Sequence, residues 1–289
     1  MKEILIYLMP LLFAMPLCAM AIDPADVKGS LKVNKEAIKI NSGNAHLHDN
    51  AEGVLDTPKE LRILLSDREV AESTLNGLVF LEAEQMAKQG KLKGILIKID
   101  PNNLGNAIVT LLWQPPDPNM MLVNQTLSSS KKDIIKNFKF SNTRVSGEIA
   151  HHDSGDSFFE STPKMDYSIK FSIPVFNEPA ITEDLKGKAA KNSPLSALYA
   201  KIAEATAKGD MKAVAGYSST ASRKEMEPFI SNPDPEMIKM IKQSGEEMKR
   251  SAKKINRIVI RGDRAVMLFD GSKSWSNFIK EAGEWRSAN

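Results

Sequence analysis

Between Val27 and Val175 apolar residues alternate with polar ones at a period of two, the spacing of a strand with one face covered. Leu31 and Val33 set the alternation, Asn34-Lys35-Glu36 offers a turn, and Ile38 and Ile40 resume it, which predicts an opening hairpin. Leu61–Leu65, Leu92–Ile99, Asn106–Trp113, Met120–Leu127, Arg144–His151 and Met165–Val175 are further predicted strands. Asp100-Pro101-Asn102-Asn103 and Asp153-Ser154-Gly155-Asp156 supply turns among them. One stretch changes period: Leu75, Leu78, Leu81, Glu82 and Met86 recur at helical spacing and Gly90 follows as a stop. The expectation for residues 22–177 is an all-β, sandwich-like antiparallel domain or a partly closed barrel, with one inserted helix covering an edge or an open end.

Residues 178–192 carry Pro179, Gly187 and no apolar periodicity, which predicts a linker. Beyond it, Ser193 and Pro194 open a helix with Leu195, Leu198, Tyr199 and Ile202 on one face, and Gly209 closes it. Asp210 caps a short helix, another includes Met226, and Asp234-Pro235 starts a longer one. Strands are predicted at Ile255–Arg261, Ala265–Phe269, Trp275–Lys280 and near Trp285, separated by Gly262-Asp263, Asp270-Gly271 and Gly283-Glu284. Residues 193–289 are therefore expected to form an α+β domain, helices first and an antiparallel sheet after.

The chain begins with a different signal. Lys2 is followed by a nearly continuous apolar run from Ile4 to Leu17, and Ala19-Met20-Ala21 matches a small-x-small cleavage site. The run is short for a membrane span and Pro10 and Pro16 interrupt it, so residues 1–21 read as a cleavable signal peptide. The expected product starts at Ile22, is periplasmic or extracellular, and has no stable membrane span. Cys18 is the only cysteine and Leu17, rather than a small residue, precedes it. Lipid attachment is disfavoured, and the exported part has no disulfide, redox pair or thiolate metal site. Residues 1–21 contain one Lys and one Glu, so the net charge of +3 survives cleavage and marks no nucleic-acid partner.

Ser193-Pro194-Leu195, Lys208-Gly209-Asp210, the run Ser219 to Lys224 and the closing Glu281-Ala282-Gly283-Glu284-Trp285 carry a resemblance. In these residues the C-terminal part resembles the cone-shaped α+β fold of the nuclear-transport-factor-two-like superfamily, as found in bacterial exported proteins. Gly29 to Val33, Ile63 to Asp67 and Gly90 to Gly94 are similar to a β-sandwich module of bacterial secreted proteins. The cone superfamily includes isomerases, dehydratases and binding modules, so the resemblance implies a shape and not an activity.

Chemistry is sparse. The C-terminal part has no histidine. Asp270 falls in an Asp-Gly turn and Tyr217 on a helix face, so no catalytic residue is named. All four histidines lie in the N-terminal part, each cluster followed by an aspartate. On a strand, His46 and His48 would share one face, which is metal-binding spacing, and His151 and His152 would complete a candidate zinc or copper set if the strands were adjacent. The opposing reading is that both clusters are solvated polar residues near turns. Lys249 to Arg264 is a basic run for an acidic partner or anionic surface, or else an exposed helix and strand face. The residues from Trp113 to Pro118 suggest a rigid proline-rich connection. Three functions are carried forward: an exported non-catalytic protein binding another protein or a small apolar ligand, a cone-fold isomerase or hydro-lyase, and a metal-binding protein.

Overall fold

The structure, a computed structural model, describes residues 25–77, 82–114, 122–127, 135–152, 163–232 and 234–288. The signal segment, Leu78, Leu81, Met120, the prolines at 115, 116 and 118, and the turn at 153–156 lie outside them.

The chain is mixed α/β with two separate sheets. The first contains β1 (Asp26–Val33), β2 (Glu36–Ile40), β3 (Ser42–His48), β4 (Glu60–Ser66), β5 (Gly94–Asp100), β6 (Asn103–Leu112), β7 (Asn124–Leu127), β8 (Ile135–Phe140), β9 (Arg144–His151) and β10 (Met165–Asn177). Their order is β2-β1-β10-β3-β4-β5-β6-β7, with β9 also on β10 and β8 on β9. The sheet curls until residues from most of its strands meet in one core, including Leu31, Ile40, Ile63, Ile97, Val109, Val145 and Phe171.

The long β10 makes this possible by changing neighbours. It pairs antiparallel with β1 as far as Ser172, then pairs in parallel with β3 from Val175. Pro174, which has no N–H to donate, falls at the switch. That parallel pairing departs from the antiparallel sandwich expected, because it joins segments about 130 residues apart that no local turn announces.

A second cluster lies on the outer face of β4–β6. Leu64, Leu96 and Leu112 meet Leu75, Ala83, Ala87 and Leu92, so these strands are apolar on both faces. The covering segment was expected as one helix. It is a 3-10 turn at Glu72–Leu75 and α1 (Glu82–Lys88), with Gly77 at φ 95° after the first piece. A left-handed glycine cannot continue a right-handed helix.

The second sheet has the order β11 (Glu183–Lys186), β12 (Ile255–Arg261), β13 (Arg264–Phe269), β14 (Trp275–Glu281) and β15 (Glu284–Ser287), all antiparallel. Helices α2 (Lys188–Lys191), α3 (Pro194–Lys208), α4 (Met211–Tyr217), α5 (Thr220–Ser231) and α6 (Pro235–Ala252) precede β12. Leu195, Tyr199 and Ile202 of α3 pack on Ile258, Ile260, Met267, Phe269 and Phe278.

The expected caps are present: Ser193 accepts from Ser196 N, Asp210 from Ala213 N and Asp234 from Glu236 N, and Gly209 ends α3 at φ 72°. Gly245 lets α6 close onto α3, since a Cβ there would stand 2.1 Å from Ala207 N.

Residues 178–192, expected as a linker, contain β11 and α2. Leu185 lies opposite Ile258, Thr182 N donates to Ile260 O, and Ala190 is fully buried. A four-residue edge strand is too short to show a period, which is why the pairing was invisible in the sequence.

Candidate functional site

One face of the second sheet is covered by α3. The other carries Val259 and Arg261 of β12, Arg264 and Val266 of β13, and Asn277 and Ile279 of β14, and it borders a cavity of about 230 Å³. The first sheet closes that cavity with His48, Glu52 and Glu178, and Ser73, Asn76, Gly77 and Glu82 add to its wall.

Local sequence builds each side. On β3, His46 and His48 point the same way, and the parallel pairing with β10 brings Glu178 to them. Glu178 Oε1 accepts from His48 Nδ1 at 2.7 Å and lies 3.9 Å from His46 Nδ1. After β3, Asn50 at φ 49° holds a turn: its Oδ1 accepts from Val54 N and Leu55 N, and its Nδ2 donates to Leu55 O and Thr57 O. That turn offers Asp49 and buried Glu52 to the second sheet.

Arg261 takes the offer. Its Nε donates to Glu52 Oε1 at 2.7 Å, Nη2 to Asp49 Oδ1 at 2.6 Å and Nη1 to Pro179 O at 2.6 Å. Arg257 adds a two-point pair with Asp184. The basic run was expected either as a solvated face or as a surface for an outside partner. At Arg257 and Arg261 it instead meets carboxylates of its own chain, and Arg261 is only 6% exposed. Strand alternation puts Arg257 and Arg261 on the face opposite Ile258 and Ile260, and the first sheet covers that face.

Behind the histidines, Arg62 is buried, donating Nε to Glu60 Oε1 and Nη1 to Leu75 O. Asn76 donates to His46 Nε2 at 2.7 Å and accepts from Arg264 Nη1 and Nη2 at 3.2 and 3.1 Å. Burial lowers the pKa of His46 to about 4; Glu178 opposes this, while Arg62, His48 and Arg264 reinforce it. For Glu178, burial is the largest influence and pushes upward. The His48 hydrogen bond and the nearby His46, His48 and Arg62 together outweigh it and hold the carboxyl below its ordinary value.

Two buried atoms at the cavity wall have no hydrogen-bond partner among the described residues: His48 Nε2 and Glu52 Oε2, which face each other at 3.6 Å.

The four candidate metal ligands do not converge. His46 lies beside Phe176 of β10 and His151 beside Tyr167, nine residues away, which is on the order of 30 Å of extended strand. His151 stacks on Tyr167 at 5.5 Å, and exposed His152 pairs with Asp166 at 2.7 Å. No group of three or more His, Cys, Asp or Glu side chains is arranged around a metal position among the described residues. Tyr217 packs on the second core and Asp270 accepts from Asn256 Nδ2, so neither borders the cavity.

Sequence reasoning found His46 and His48 but missed Glu52, Glu178 and Arg261. Val259, Val266 and Ile279, apolar on the strand face away from the helices, were the available signal that this face is covered. No helix among the described residues is long and apolar enough to cross a membrane. A scan against protein-family models matches none, and searches of curated proteins and of solved structures find no match.

Proposed function

We propose that the chain is an exported binding protein of two domains, a curled β domain and a cone-like α+β domain, whose ligand site is the cavity between them. Separate cores support the division, and the apolar run ending at Ala19-Met20-Ala21 supports export to the periplasm or medium. The small apolar ligand expected from sequence is refined by the cavity wall. Val259, Val266 and Ile279 suit an apolar body, and Arg264 suits an acidic head.

The carrying observation is that Arg261 is fully engaged while Arg264, also on the wall, has no carboxylate at ion-pair distance among the described residues. Glu82 is exposed at the rim and leaves that charge uncompensated at contact range. At about 230 Å³ the cavity is below the ~300 Å³ at which drug-sized pockets begin, so a short-chain acid fits it better than a long lipid.

The enzyme reading has one observation on its side, the Glu178-oriented imidazole of His48, which is the arrangement of a general base. Nε2, the atom that would take a proton from substrate, is out of solvent's reach and faces the carboxylate of Glu52 at 3.6 Å. Binding is therefore the better-supported function.

Calorimetric titration with hexanoate, hexanol and hexylamine tests it. Hexanoate is expected to bind saturably, roughly 10- to 100-fold more weakly to Arg264→Gln, as for loss of a charge-assisted hydrogen bond, and not at all to Val266→Trp. Failure of all three probes overturns the reading. Equal binding of all three removes the role of Arg264.

A further inference from the structure

Residues that alternate with core Leu31, Val33 and Ile169 make up the outer face of the first sheet, and the pairing register fixes their neighbours. Ser30 of β1 stands opposite Lys39 of β2 on one side and Ser168 of β10 on the other, and Ala150 of β9 follows Ser168. Lys28 and Lys32 flank Ser30 along β1, and Lys170 lies beside Ser168, directly opposite Lys28. Ser30, Ser168 and Ala150 are exposed and small. They floor an open depression of about 490 Å³, with Lys32 and the His152–Asp166 pair at one end.

This placement of charge is unfavourable for the fold alone. Lys28 and Lys170 are like charges directly opposed across two strands, which destabilises a sheet. Lys39 is the diagonal neighbour of both Lys28 and Lys32, at the roughly 7–8 Å usual for such positions. Asp26 and Glu148 pair with Lys28 and Lys170 at 3.1 Å. Lys32, Lys39 and Lys136 have no carboxylate at ion-pair distance among the described residues, and Lys136 extends the row to β8, opposite Glu148. From β2 to β8 the lysines cross four interstrand steps of about 4.8 Å, on the order of 19 Å. A single small anion cannot span that width, whereas a chain carrying anions at intervals can.

The outward positions of β1, β2, β9 and β10 carry no aromatic side chain to stack a nucleic-acid base and no large apolar one to enter a membrane. They offer hydroxyls and ammonium groups instead.

We propose that this face binds a linear anionic polysaccharide, with one sulfate or phosphate group over Ser30 and Ser168 among Lys28, Lys32, Lys39 and Lys170. The serine hydroxyls donate to the oxygens of that group, the lysines supply the opposing charge, and the chain continues toward Lys136. None of these residues borders the cavity, so the site is separate from the one for a short-chain acid.

Calorimetry with dextran sulfate at several salt concentrations tests it. The protein is expected to bind dextran sulfate but not uncharged dextran, with affinity falling as salt rises. Lys32→Ser combined with Lys39→Ser is expected to bind roughly tenfold more weakly, with a salt slope smaller by about two. Both side chains are exposed, so thermal unfolding of that variant is expected to match the wild type. Lys253→Ser combined with Lys254→Ser removes the same charge from exposed positions near the second sheet and is expected to bind like the wild type. Equal weakening by the two double variants overturns the proposal, because net charge alone then accounts for binding. Absence of binding to dextran sulfate overturns it as well. Tighter binding to phosphatidylglycerol vesicles or to polyglutamate overturns it in favour of a membrane or an acidic peptide.

Discussion

Replacing His46 by Gln is expected to remove a specific part of the protein's sensitivity to acid. His46 is 1% exposed, and burial holds its pKa at about 4 against an ordinary 6.5. Released by unfolding, the ring takes a proton as pH falls through 6.5, while the folded protein refuses it until about 4. The unfolded state therefore binds more protons in that interval, and stability falls as pH falls. At 1.36 kcal/mol per pH unit the loss accumulates to roughly 3 kcal/mol by pH 4, against a total stability of about 5–15 kcal/mol for a typical protein.

Gln at position 46 does not titrate and its oxygen can still accept from Asn76. Urea unfolding followed by circular dichroism between pH 7.5 and 4 measures both proteins. A constant offset is expected at pH 7.5, with the two curves converging or crossing as the wild type loses its extra stability. Glu178 acts in a separate window: its lowered carboxyl stabilises above its ordinary unfolded value and that contribution is lost only at lower pH. Parallel curves for wild type and His46→Gln over the whole range refute a neutral, desolvated His46.

Arg261→Ala strands Glu52 as a buried charge and is expected to cost about 3–5 kcal/mol, while Arg261→Met combined with Glu52→Leu recovers most of it in thermal unfolding. Gly245→Ala forces α3 and α6 apart and is expected to lower stability by about 1–3 kcal/mol in chemical denaturation, far outside the gain usual for alanine in a helix. Zinc titration of His46→Ala, His151→Ala and the double variant is expected to show additive effects, because the two clusters lie far apart on β10; strong coupling refutes the separation. Intact mass of the protein purified from a bacterial host is expected to correspond to a chain starting at Ile22, and retention of residues 1–21 refutes cleavage.

The parts of the fold that were legible in sequence are those whose instructions are local. Ser193 before Pro194, Gly209 after the apolar stripe, and Asp234 before Pro235 each act within one helical turn, and each cap is found where the sequence puts it. The final strands were equally readable because Gly262-Asp263 and Asp270-Gly271 turn the chain back at once. What escaped depends on distant segments. β3 was not marked as a strand: its sequence Ser-Gly-Asn-Ala-His-Leu-His lacks a repeated apolar period, and its pairing with β10 stabilises it from far along the chain. β11 escaped for the related reason that a four-residue edge gains its identity only from β12.

The same distinction governs the site. His46 and His48 were visible as a pair because strand geometry alone puts both on one face, but spacing says nothing about what that face meets. A histidine pair open to solvent seeks a metal; the same pair buried against Glu178, with Asn76 on one ring and Glu52 beside the other, is occupied by protein. Arg261 looked like one charge in a basic run because a run averages over both faces of β12. Resolved by strand alternation, Arg257, Val259 and Arg261 form one row, and a buried valine between two arginines demands a partner surface that is apolar in the middle and acidic at the edges. The turn at 49–57 meets Arg261 with Glu52 and Asp49, while Asp184 of neighbouring β11 meets Arg257, so one row of residues on β12 sets both the contact between the sheets and one wall of the cavity.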